Sequence, residues 1–236
     1  MFSYRLVHAR EFPSLAQGMA WPDLLSPREE KLLAGLGHLP RRRKWLMGRA
    51  AAKRLVCDLL GDDHVAEKKI SVLNQPSGEP FVLIEGKGGW GRAISISHRS
   101  EVGMAAAPLD ESARIGADIE TIEPRDPALV RQFYTDGEAQ IVEAAGKDGD
   151  EARDEIVSRI WSAKEAVLKL LGLGLRIDTR GVLVNLVGEH FSACPAEWQP
   201  VDVKVIAELP RQSMLDNLRV MWRREAGFVL TVAVAG

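Results

Sequence analysis

Residues Arg114-Ile115-Gly116-Ala117-Asp118-Ile119-Glu120 alternate in character with a period of two, the pattern of a β-strand. As a strand they place Ile115, Ala117 and Ile119 on one face and Gly116, Asp118 and Glu120 on the other. The first face needs a core to cover it. The second carries two neighbouring carboxylates, which repel unless positive charge lies between them. Gly116, on the acidic face, gives a ligand or another backbone room to approach. A hard divalent cation such as Mg²⁺ suits paired carboxylate oxygens. The plainer reading is a solvated strand face running into a loop.

The elements predicted around this strand set the fold class. A short strand is expected at 2–8. Ser26-Pro27-Arg28-Glu29 has an N-cap serine, proline at N1 and glutamate at N3, so a helix starts there. A second helix follows Pro40, with Trp45, Ala52, Leu55, Val56 and Leu59 on its buried side and Gly61 as its stop. Strands are expected near 70–73, 81–84, 93–98 and 102–107. After the strand at 115–120 come helical segments from about 127 to 171. Thr135 and Glu138 have capping-box spacing, and Lys147-Asp148-Gly149-Asp150 is a polar break. Further strands are expected near 182–187, 201–207, 218–223 and 228–235.

Strand, helices, then three or more strands thus occurs twice, without a repeat in the sequence itself. That order predicts an α+β, pseudo-duplicated fold of two halves, 1–112 and 113–236. The glycine-rich stretch 86–91 lacks the GxxxxGK[ST] form and reads as a hairpin loop.

The second half holds another unusual pattern. Trp161, Glu165 and Leu168 share a helical stripe, and Glu165 and Lys169 are spaced i, i+4. A surface ion pair at that spacing contributes only ~0.3–0.5 kcal/mol. A charge on a stripe with Trp161 and Leu168, however, needs a partner or a task. Gly172 is placed to cap this helix in the left-handed conformation.

In the first half, Arg41, Arg42, Arg43 and Lys44 open the second helix, and Arg49 and Lys53 follow. Each alone reads best as part of a solvated face; together they suit a phosphate. One short basic run in a chain of net charge −2 is weak evidence for nucleic acid. His98 follows Ser97 at a predicted strand end. A lone histidine is more often structural than catalytic.

Hydrophobic residues make up 46% of the chain and charged residues 27%, values of an ordinary soluble protein. Cys57 and Cys194 form no CxxC pair, so a reducing compartment is expected and a zinc or disulfide framework is not. Arg5, His8, Arg10 and Glu11 interrupt any leader-like apolar run, and no run approaches the ~20 residues of a membrane span. A cytoplasmic protein without membrane or nucleic-acid partners is expected.

The two acidic segments together resemble the signature pair of 4′-phosphopantetheinyl transferases, in the larger, surfactin-synthetase-activating type. The resemblance rests on Gly116-Ala117-Asp118-Ile119-Glu120 and on Trp161-Ser162-Ala163-Lys164-Glu165-Ala166-Val167-Leu168-Lys169. Ser26-Pro27, Gly48-Arg49, Gly78-Glu79-Pro80, Ile96-Ser97-His98, Phe133 and Glu138 stand in the matching order. It covers roughly Ser26 to Leu175. It implies two similar halves with the active site between them, coenzyme A as substrate and an apo acyl or peptidyl carrier protein as acceptor. Mg²⁺ would be held by Asp118, Glu120 and Glu165, with Glu165 also the base for the attacking serine. Lys169, and less directly Lys164, would hold phosphate oxygens. Lys44 and Arg49 would meet the 3′-phosphate of coenzyme A, and Ser97 and His98 its other phosphates. Two fused halves would allow a monomer. Two positions depart from the family pattern: Glu79 stands where lysine is usual, and Arg99 where a second serine often follows the histidine. A non-catalytic coenzyme A- or carrier-binding module is the alternative, and the intact acidic set argues against it.

Overall fold

The computed structural model describes residues 1–61, 65–174, 177–186, 197–206, 208 and 210–236. Val187 and Ala207, the expected ends of two strands, and Cys194 lie outside the described residues. The chain forms two compact units, Met1–Ile115 and Gly116–Gly236. Among the described residues no helix is long and apolar enough to cross a membrane.

The first unit runs β1 (Phe2–His8), α1 (Pro27–Ala34), α2 (Leu39–Leu60), β2 (Ile70–Asn74), β3 (Pro80–Ile84), β4 (Gly88–Gly89), β5 (Ser95–Arg99) and β6 (Val102–Pro108). Local chemistry sets the helix ends. Ser26 and Glu29 form a reciprocal capping box, and Gly61 ends α2 with φ +62°. The strands make two antiparallel sheets, β1-β6-β5 and β2-β3-β4. The glycine-rich stretch is a hairpin whose Gly88–Gly89 pairs with β3. Helix α2 packs on β1, β2, β5 and β6, burying Ala52, Leu55 and Val56 completely, while Trp45 and Leu59 pack at the margin of the core.

Strand β7 (Arg114–Thr121) begins at the end of the first unit and continues into the second, which then runs α3 (Pro127–Phe133), α4 (Asp136–Ala145), α5 (Asp150–Leu170), β8 (Val182–Asn185), β9 (Gln199–Val205), β10 (Arg219–Glu225) and β11 (Phe228–Ala235). Its five strands are ordered β7-β11-β10-β9-β8. In both units the first strand lies beside the last, which lies beside the one before it: β1-β6-β5 and β7-β11-β10. Helix α5 ends in a Schellman arrangement. The amide of Leu173 donates to the Leu168 carbonyl at 3.0 Å, that of Gly172 to Lys169 at 3.0 Å, and Gly172 has φ +68°.

Strand β7 departs from its sequence pattern. Both faces of β7 are covered, from Ile115 through Glu120. Gly116 shows why: a Cβ there would lie 1.9 Å from the Ala166 carbonyl oxygen and 2.5 Å from the Leu170 amide nitrogen. Of the two occupants its missing side chain could admit, it admits a backbone, that of α5. Gly116→Ala should therefore force α5 off β7 and destabilise the protein by at least the ~1–3 kcal/mol typical of overpacking. Chemical denaturation measures this, and unchanged stability would contradict the close approach.

Each unit also contains one fully buried lysine–glutamate pair. Lys53 Nζ lies 2.5 Å from Glu29 Oε2, and Lys164 Nζ lies 2.9 Å from Glu138 Oε1; all four side chains are 0% exposed. Each glutamate is the N3 residue of a capping box and accepts a strand amide, Val72 N for Glu29 and Val184 N for Glu138. Each lysine sits in the long helix and donates to two backbone carbonyls, Leu24 and Glu67 for Lys53, Thr179 and Val182 for Lys164. The same arrangement of helix cap, buried lysine and strand amide thus occurs in both units.

Candidate functional site

The acidic face of β7 lies under α5. Helical spacing brings Glu165 and Lys169 onto adjacent turns of one face, and the close packing at Gly116 sets that face against the strand. Lys169 Nζ lies 2.7 Å from Asp118 Oδ1 and donates to the Ala117 carbonyl at 3.2 Å. Asp118 is 4% exposed and Glu120 8%. Glu120 is gripped from the other side: Arg125, in the loop after β7, places Nη2 2.6 Å from Glu120 Oε2 and also donates to the Thr121 carbonyl at 3.1 Å. The positive charge that two adjacent carboxylates require is therefore supplied from within the chain.

Glu165 completes the set. Its Oε1, like Asp118 Oδ2, is buried and makes no hydrogen bond. Burial, then the charge of Asp118, push its carboxyl up to about 7, with Glu120 adding to the shift and Lys169 opposing it. Glu165 thus senses both Asp118 and Glu120 electrostatically. Their oxygens are of the kind a hard divalent cation takes, and the orphaned Glu165 oxygen leaves a place for positive charge. Among the described residues, however, no three acidic, histidine or cysteine side chains converge closely enough to share one ion as they stand. The donor chemistry fits Mg²⁺. The carboxylates of Asp118 and Glu120 are hydrogen-bonded to Lys169 and Arg125 instead.

One assignment needs correction. Lys164, expected at a phosphate, is 0% exposed and committed to Glu138, Thr179 and Val182. Its partner Glu138, read from the sequence as a helix cap, is also the counter-ion of a buried ammonium.

The other basic candidates lie in the first unit. Lys44 is exposed near the start of α2. Arg49 is 8% exposed; its Nη2 donates to Asn74 Oδ1 at 2.7 Å and its guanidinium stacks 4.4 Å from the Trp45 ring centre. Burial lowers its pKa to about 10, and its Nε is buried without a hydrogen-bond partner. Arg42, from the same basic run, is used in the fold, donating to the carbonyls of Gly18, Leu33 and Leu36. Ser97 is buried and His98 exposed on β5, and a Cβ on Gly48 would meet Ile96 of that strand at 2.8 Å, so α2 lies close against it. Glu79, the unusual acid of the Gly78-Glu79-Pro80 motif, pairs with Arg114 at 2.9 Å. Arg125 was not anticipated. Its only trace in the sequence is a basic residue five positions after Glu120, which no periodicity picks out.

Residues 114–208 match the model of the 4′-phosphopantetheinyl transferase superfamily. A 4′-phosphopantetheinyl transferase of Bacillus pumilus, psf-1, is 26% identical over 118 residues, 46% of this chain. The alignment spans about half (48%) of the length of that relative. Among solved structures, a holo-(acyl-carrier-protein) synthase of Bacillus anthracis, in complex with CoA (3′,5′-ADP), is 21% identical with a TM-score of 0.37, over 45% of this chain and 91% of its own. The holo-[acyl-carrier-protein] synthase of Thermotoga maritima is 16% identical with a TM-score of 0.38, over 52% of this chain and 62% of its own. The superfamily match begins with β7 and includes all of α5, so it contains Asp118, Glu120, Glu165 and Lys169.

Proposed function

We propose that this protein transfers the 4′-phosphopantetheine arm of coenzyme A to a serine of an apo acyl or peptidyl carrier protein. The observation that carries this reading is the Glu165 carboxyl. In the metal-free protein it is buried and pushed up to about 7 beside two further acids and a lysine, within the segment that matches the transferase superfamily. A general base works best with a pKa close to the working pH. In the reaction, the carrier serine oxygen bonds to the phosphorus bearing the pantetheine arm. The bond from that phosphorus to the departing 3′,5′-ADP breaks. The serine proton passes to Glu165, directly or through water. Lys169, already aimed at the acidic face, holds phosphate oxygens. Asp118, Glu120 and Glu165 are the residues that would hold Mg²⁺. When bound, Mg²⁺ supplies charge neutralisation on the phosphoryl group and on the leaving 3′,5′-ADP.

Lys44, Arg49, Ser97 and His98 are our proposed contacts to coenzyme A phosphates. The larger, surfactin-synthetase-activating type, a cytoplasmic setting and a monomeric state complete the reading. They are supported by the motif order, the paucity of cysteine and the two fused halves.

Incubation of the purified protein with coenzyme A, Mg²⁺ and apo carriers from fatty-acid, polyketide and peptide synthesis should give a phosphopantetheine mass adduct on serine. If a known transferase modifies these carriers in parallel and this protein modifies none, the transferase reading fails. Coenzyme A binding without any adduct would identify a binding module instead.

A further inference from the structure

In the second unit each β7 carboxylate already has a cation of its own. Lys169 sits on Asp118 and Arg125 on Glu120. Arg125 is not a loose surface charge. Its side chain is 17% exposed, and its nitrogens reach Glu120 Oε2 at 2.6 Å, the Thr121 carbonyl at 3.1 Å and Glu123 Oε1 at 3.6 Å. Among the described residues, Asp118, Glu120 and Glu165 thus face the fixed positive charges of Lys169 and Arg125, and Asp118 Oδ2 and Glu165 Oε1 are buried without a hydrogen bond.

An arginine on a metal-binding carboxylate can act in two opposite ways. It can orient the ligand, as outer hydrogen-bond partners do, and then its loss weakens metal binding. Or it can compete, and then its loss strengthens binding. The charges decide between them. A guanidinium cannot shed its proton in a protein, so it carries a full positive charge whatever the metal does. Its repulsion of a divalent ion a few ångströms away, in a partly buried setting, outweighs the gain from orienting one oxygen.

We propose that Arg125 is a specificity-determining counter-ion. It holds Glu120 in the metal-free protein, disfavours a bare divalent cation, and selects a cation that arrives complexed to the diphosphate of a nucleotide ester. The anionic oxygens of the diphosphate offset the charge of Arg125 and let Glu120 turn to the ion. This rests on the metal-dependent transfer proposed above and adds the form in which the metal binds.

Titration of free Mn²⁺ by electron paramagnetic resonance tests the proposal without turnover. The unmodified protein and Arg125→Lys, which keeps the charge, should bind Mn²⁺ weakly. Arg125→Gln and Arg125→Met, two neutral replacements of different polarity, should bind it about tenfold more tightly. Saturating coenzyme A should tighten Mn²⁺ binding by the unmodified protein and narrow that gap. Equal or weaker binding by both neutral variants would overturn the counter-ion role, whatever the outcome of the transfer assay. Glu120→Gln serves as the reference and should bind Mn²⁺ less well than the unmodified protein. Should no form bind Mn²⁺ even with coenzyme A, the metal assignment itself is wrong, and this role falls with it.

Discussion

Glu165→Gln should lower the rate of phosphopantetheine transfer by ~10²–10⁴-fold, the usual contribution of a positioned general base. Glutamine keeps the size and hydrogen-bonding capacity of the side chain and removes its basicity. Single-turnover rates with a carrier that the unmodified protein modifies would show it, and a near-normal rate would remove Glu165 from the proton transfer. The same variant has a signature in stability. The carboxyl rises from an ordinary 4.5 to about 7 in the fold because burial and Asp118 disfavour its charge. A raised pKa means that the folded state binds the proton more tightly than the unfolded chain does. Its stabilising contribution is complete below about 4.5 and is lost as the pH rises through about 7. Without metal, the unmodified protein should therefore lose melting temperature relative to Glu165→Gln across that window. Parallel melting curves for the two proteins from pH 4.5 to 7 would show that the carboxyl is not held near neutrality.

Lys164→Ala should destabilise the protein by about 3–5 kcal/mol, because it leaves Glu138 buried without its counter-ion. Burial disfavours the charge on Lys164, and Glu138 offsets that. The pair therefore stands or falls together. Replacing both partners, as Glu138→Gln with Lys164→Met, should recover much of the loss, since neutral groups of similar size remove the uncompensated charge. Urea unfolding of the single and double variants measures the coupling. The competing assignment, a phosphate contact, predicts weaker coenzyme A binding with stability unchanged. That pattern would place Lys164 at the phosphate and not in the core. Lys53 and Glu29 should behave alike in the first unit, since their geometry is the same.

The Glu138 pairing shows where reading the sequence stops. Thr135 and Glu138 announce a capping box because its hydrogen bonds join residues three positions apart. Ser26 with Glu29, Gly61 and Gly172 were legible for the same reason: each encodes a turn or cap within a few residues. The alternation of β7 and the strand–helix–strand order of both halves could be read from periodicity. The motif pair around Asp118 and Glu165 carried the resemblance to the transferases. None of this fixes partners distant in the chain. The acidic face of β7 read as open, yet the missing side chain of Gly116 draws α5 down onto it. Lys169 appeared to have Glu165 as its natural partner, but its ammonium reaches Asp118, 51 residues away. Lys164, in the middle of a signature motif, read as a ligand contact and proved to be core. The sequence by itself determined which segments form which elements and which chemistry they carry, because caps and periodicity act over a few residues. Only the tertiary structure decided which charges are buried, which cation meets which carboxylate and how far Glu165 is shifted, because Coulomb and desolvation energies depend on distances that chain order does not set.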